Sequence, residues 1–160
     1  MDERTERTAR RGHRAPVRHD TDLYGWAVEQ AALLRAGRVS ESDLDNIAEE
    51  IDDVGSEQYD KLESALRVIL THLLKWDAQK DRRSRSWWAS IRVQRNHVLR
   101  VLRRNPGLKA RVDEAVTAAY EDARILASAQ TRLAEGRFPR RCPFSFNEIM
   151  ERPIDWPAKT

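Results

Sequence analysis

Apolar positions in this chain recur three and four residues apart, and no run alternates apolar with polar at a period of two. Leu23, Ala27, Ala31 and Leu34 form a stripe that predicts a first helix, capped by Asp20 or Thr21, ended by Gly37, and with Gln30 inside the stripe. Ser40, with Asp43 three residues on as a weak capping box, predicts a second helix whose face is Leu44, Ile47, Ala48, Ile51 and Val54. Leu62, Leu66, Ile69, Leu73 and Trp76 make the seam of a third helix, either separate or continued from the second through a kink at Gly55. Residues 77–84 are polar and break the period. A basic fourth helix then runs from Ser84 or Ser86 to Arg104, with Trp87, Ile91, Val98 and Val101 on one face and Gln94 among them. Asn105-Pro106-Gly107 is a stop. A fifth helix is expected over Leu108 to Leu133, with Leu108, Val112, Ala115, Ala119, Leu126 and Leu133 on one side and Gly136 beyond it, followed by a short turn over Ser145 to Met150. The pattern predicts an all-α fold: a single antiparallel bundle of five helices over residues 20–157, with a short C-terminal turn and a disordered basic tail over residues 1–19.

Composition adds little to the fold but narrows the setting. At 160 residues, 40% hydrophobic and 34% charged, the chain is long enough for one cored domain. Its one cysteine, Cys142, makes no intramolecular disulfide, no apolar run approaches a membrane span, and the charged N-terminus lacks the apolar stretch of a secretory signal. The expectation is a cytoplasmic protein with no membrane contact.

Charge changes the picture more. Residues 20–63 carry 13 acidic and 3 basic side chains, whereas residues 64–112 carry 13 basic and 2 acidic ones. Such blocks can neutralise each other inside one chain or present a basic face to an acidic partner.

Several short stretches add a resemblance. Asp22-Leu23-Tyr24-Gly25-Trp26 with Gln30 to Arg35, Ile47-Ala48-Glu49-Glu50-Ile51 leading to Gly55, His72 to Trp76, Arg83 to Trp87 with Gln94-Arg95, Ala119-Tyr120 through Arg124, Phe138-Pro139 and Cys142-Pro143 occur in that order. Together they resemble the bacterial "domain of unknown function 29" family, widespread in cyanobacteria and proteobacteria. The resemblance spans about residues 20–157 and implies a helical fold and no particular activity. Two departures stand out: Ala129-Gln130-Thr131-Arg132-Leu133 replaces the usual acidic-plus-Thr-Gly turn, and Phe144 stands where Trp or Tyr is common.

Three constellations carry candidate chemistry. Glu49, Glu50, Asp52 and Asp53 include pairs three apart on one helix face, the spacing that Mg²⁺-dependent helical pyrophosphohydrolases use, but no second E-x-x-D pair is placed to face them. A solvated or ion-paired face is the simpler reading. His13, His19, His72 and His97 form no E-x-x-H or H-x-x-x-H motif, so no metal site and no cofactor is called for, and a hydrogen-bonded, half-buried His72 is expected. The basic fourth helix offers Arg83, Arg85, Arg100, Arg103 and Arg104 as candidate phosphate contacts. Gln30 and Gln94 each lie in an apolar stripe; they are expected to bond each other, Arg95, Glu50 or Tyr24 and set helix register, with lining a polar pocket as the functional alternative. If a polar site exists, it is expected where the second, third and fourth helices meet, joining Glu49, Glu50, Asp53, His72, Trp76, Gln94 and Arg95.

Three functions follow. The first is a non-catalytic protein-interaction or scaffold module whose partner is another protein or a second copy, contacted through Trp88, Phe138 and Trp156. The second is nucleic-acid binding by the helix between Lys80 and Arg104. The third is metal-dependent hydrolysis at the Glu49–Asp53 cluster.

Overall fold

The computed structural model describes residues 17–156, and the first sixteen residues of the expected basic tail lie outside that range. Among the described residues there are five α-helices and no strand: α1 (Leu23–Arg35), α2 (Leu44–Ala78), α3 (Arg85–Arg104), α4 (Val112–Thr131) and α5 (Phe146–Glu151). The described residues divide into two compact units, 17–52 and 53–156, and the boundary falls within α2.

In the first unit, α1 opens on Asp22, two residues later than the earliest cap the sequence allows. Its carboxylate accepts the Gly25 amide at 2.8 Å. A Cβ at Gly25 would crowd the Asp22 carboxylate, so a larger residue there displaces this cap. The helix ends at Ala36, with Gly37 at φ +71°. The stripe expected to be buried is not the buried one. Leu23 and Leu34 are exposed, and the helix buries Trp26, outside that stripe, together with Gln30, which lies inside it. Both faces have helical spacing; the indole offers the larger apolar area, and its N–H has a partner on that side. Residues Val39–Glu41 form a 3₁₀ turn, so α2 starts at Leu44 rather than Ser40.

α2 runs for 35 residues straight through Gly55, which resolves the second and third expected helices into one. Its two halves differ. From Leu62 on, the seam is core: Leu62, Leu66, Ile69, Leu70 and Leu73 have no exposed surface. From Leu44 to Lys61 no residue is buried.

The second unit is a helical bundle. Ser84 caps α3, and Ile91 and Val98 enter the core while Trp87 packs half-buried against it. Asn105 near Gln58 at one end, and Arg83 on Trp76 at the other, set α3 antiparallel to α2. Arg67 with Asp122, and Lys75 with Gln130, set α4 parallel to α2. The segment Pro106–Arg111 is 3₁₀ rather than α, so α4 starts only at Val112; it ends at Arg132, at φ 61°, short of the expected Leu133. The contact face of α4 is Ala115, Ala119, Ala123 and Ala127, all fully buried, while Leu126 turns outward. Small alanine side chains permit helix backbones to pack closely, which a leucine face would hold apart. Tyr120 donates to the Pro139 carbonyl at 2.8 Å and helps fix the C-terminal segment, where Ser145 and Glu148 form a capping box for α5.

Candidate interaction surfaces

A polar network holds α1 to the start of α2. Asp43 receives the Trp26 indole N–H at 3.2 Å and the Asn46 side-chain amide at 2.7 Å, and the Gln30 carbonyl accepts the Asp43 backbone N–H at 2.8 Å. Gln30 therefore does fix register, but through the Asp43 amide rather than through any of its expected partners. The Asn46 amide and the Trp26 indole hold the Asp43 carboxyl below its usual range. His19 Nε2 lies 2.6 Å from Glu50 Oε1, and its ring meets Trp26 edge-on at 4.6 Å. The Val17 amide donates to Glu29 at 3.0 Å, so residues 17–19, read from sequence as tail, are tied to this unit. An open cavity of about 480 Å³ lies among His19, Trp26, Gln30, Ser42 and Asp43. Sequence reasoning missed this network. Its only signal was Gln30, because His19 and Glu50 are 31 positions apart.

The residues expected to form one polar site have separate surroundings. Glu50 is held by His19 in the first unit, where Glu49 is solvent-exposed, and Asp53, also exposed, falls in the second unit. His72 Nδ1 lies 2.8 Å from the Val68 carbonyl, and burial pushes its pKa down, the half-buried imidazole expected of it. Trp76 is core, with the Arg83 guanidinium 4.8 Å over its ring. Gln94 lines an open groove of about 480 Å³ with His97, Ser64 and Val68, and has no hydrogen bond among the described residues. Arg95 is in another place: its Nε donates to the Ile149 carbonyl at 2.8 Å, while its Nη2 is buried without a partner among the described residues. Within the second unit, Gln94 and Arg95 therefore line different hollows. Burial pushes the Cys142 thiol up, away from the range of a reactive thiolate. No three His, Cys, Asp or Glu side chains converge on a cation position among the described residues.

The surface that does stand out lies on the first half of α2. Leu44, Ile47, Ile51 and Val54 fall within an arc of about 80° on the helix. Leu44 is 50%, Ile51 66% and Val54 61% exposed. Asp45 and Asp52 border this stripe on one side, Glu50 and Glu57 on the other. On α1, Leu23, Tyr24 and Val28 are exposed as well. By contrast, the aromatics expected to face a partner are engaged. Phe138 is buried, and Trp88 and Trp156 are half-buried against the core, with Arg92 4.7 Å over the Trp88 ring.

A second surface lies on α3, which contains no acidic residue. Of the five candidate phosphate contacts, Arg83 is used structurally, donating to the Trp76 carbonyl at 2.9 Å. Arg85, Arg100, Arg103 and Arg104 are exposed and form no ion pair among the described residues. With Arg92, the first three lie within an arc of about 80° opposite the core face. Neutralisation of the acidic block by α3 is not seen within the second unit, where Glu57 pairs along its own helix with Lys61 at 3.4 Å.

Among the described residues no helix is long and apolar enough to cross a membrane. Comparison with characterised proteins and with solved structures gives no match. The family model described as "Domain of unknown function DUF29" matches residues 19–154, and the chain belongs to that family.

Proposed function

We propose that this chain is a non-catalytic protein-interaction module whose docking element is the segment Leu44–Lys61 of α2, and that its partner presents a basic helix with apolar side chains. The observation that carries this reading is that none of these eighteen residues is buried although the segment has an apolar stripe with acidic borders. An exposed apolar stripe stabilises little until something covers it. The test is a thiol-accessibility experiment on an Ile51→Cys, Cys142→Ser chain carrying an environment-sensitive fluorophore. Rapid labelling of the dilute chain is expected, then a saturable blue shift with a basic amphipathic helical peptide and none with its acidic counterpart. Slow labelling in the dilute chain would show the stripe covered from within and would end the reading.

A second reading is favoured by the arginine face of α3, which suits a phosphate backbone. It predicts binding to duplex or single-stranded nucleic acid that weakens steeply with salt and is lost in Arg100→Glu, Arg103→Glu; flat titrations at low salt would remove it.

A further inference from the structure

We infer that the partner of the α2 segment is a second copy of this chain, the acidic stripe of one copy lying along the arginine face of α3 in the other. The inference rests on the interaction reading above and names its occupant.

Two features of one sequence carry it. The stripe supplies apolar side chains bordered by carboxylates, including Asp45 and Asp52, which have no ion-pair partner among the described residues. The outer face of α3 supplies Arg92, Arg100 and Arg103 with no acid on the helix, and beside them Val93 and Leu99, 58% and 46% exposed. Each face thus offers what the other lacks: a charge of opposite sign and apolar surface to cover. The lengths agree, since eighteen residues of helix span about 27 Å and the twenty of α3 about 30 Å. The block charges agree too, 13 acidic against 3 basic residues over 20–63, and 13 basic against 2 acidic over 64–112. Every copy carries both faces, so a contact between two copies needs no second kind of protein. Charge sets the specificity and the rate of encounter in such a contact, and apolar cover supplies most of the affinity.

The experiment is sedimentation of the full chain from low micromolar concentration to about 200 μM, at low and at physiological salt. A dimer is expected, with its dissociation constant rising about tenfold or more as salt screens the contact. Two double variants sharpen it: Asp45→Lys, Asp52→Lys reverses the charge along one border of the stripe, and Arg100→Glu, Arg103→Glu reverses it at two arginines of the α3 face. Each is expected to be monomeric alone, with helical circular dichroism unchanged, and an equimolar mixture is expected to form a heterodimer, because mixing restores opposite charge at both contacts. A wild-type monomer throughout overturns the inference, as does a dimer that both variants retain. If the wild type is monomeric and residue 51 labels rapidly, the interaction reading survives with a different partner; if residue 51 is also protected, both fail. Salt-sensitive nucleic-acid binding by a monomer, lost in the Arg100, Arg103 variant, assigns the α3 face elsewhere and overturns the inference as well.

Discussion

Ile51 and Ile69 lie on the same uninterrupted helix, yet the same substitution at each should have very different effects. Ile→Ala removes three carbons, worth about 2.4 kcal/mol of transfer free energy when they are fully buried. Ile69 has no exposed surface, and the rigid neighbours Leu66, Leu70 and Leu73 leave a cavity behind it, so Ile69→Ala should cost about 3–4 kcal/mol. Ile51 is 66% exposed, so at most a third of the transfer free energy, about 0.8 kcal/mol, is at stake. Alanine's better helix propensity returns about 0.4 kcal/mol of that. The net cost of Ile51→Ala in the single chain should therefore be about 0.5 kcal/mol or less. Urea unfolding followed by circular dichroism, at protein concentrations low enough to keep copies apart, measures both. A cost above about 1.5 kcal/mol for Ile51→Ala under those conditions would refute the claim that the first half of α2 is uncovered. At concentrations where copies associate, the same variant should become costly, and that change is the signature of docking.

Three further outcomes follow from local geometry. Burial pushes the Tyr120 hydroxyl up to about 12 from an ordinary value near 10, so above pH 10 the unfolded chain ionises first and the fold loses stability until about pH 12. Tyr120→Phe should cost about 1 kcal/mol at neutral pH through the lost bond to Pro139, and this cost should shrink as unfolding is measured from pH 10 to 12. Lys75 has the opposite sign: buried between Gln130 and the Trp87 ring, its pKa lies below the ordinary 10.5. The penalty for burying its ammonium is fully present below the folded value and fades as pH rises to 10.5, so stability climbs across that window in the wild type. Lys75→Met should lack the climb when unfolding free energies of the two are compared against pH. Gly25→Ala should cost about 1 kcal/mol by displacing the Asp22 cap, whereas in an Asp22→Ala background it should stabilise, because only helix propensity remains; a double-mutant cycle by thermal unfolding reads the reversal.

Much of the fold is legible in the sequence because spacing and capping are local. The Leu62–Trp76 seam, the Ser84 cap and the Asn105-Pro106 stop each depend on residues a few positions apart. What spacing does not carry is which of two amphipathic faces finds a neighbour. Leu44, Ile47, Ile51 and Val54 have the same period as Leu62, Leu66, Ile69 and Leu73, yet only the second set is fully buried, Ile47 being half-buried and the other three exposed. On α4 Ala123 is buried and Leu126 exposed, a choice that their spacing does not carry. The polar network was legible only at Gln30: its other members come from three separated stretches, and His19 sits beside a tail with no apolar period to mark it as fixed. The arginine face of α3 was visible as composition, but its exposure depends on which cations the core and Trp76 had already used.

The continuity of α2 also has a consequence for cooperativity. Helix growth from an existing turn is easy and starting a turn is not, so the buried half, Leu62–Ala78, seeds the helix for the turns before it, none of whose residues is buried. Amide exchange should therefore be faster over Leu44–Lys61 than over Leu62–Ala78. Whatever clamps the outer turns must also favour the folded state of the inner ones, so docking raises the unfolding free energy of the bundle, and a loosened bundle docks less well. One rod of backbone hydrogen bonds makes recognition and stability two readings of the same equilibrium.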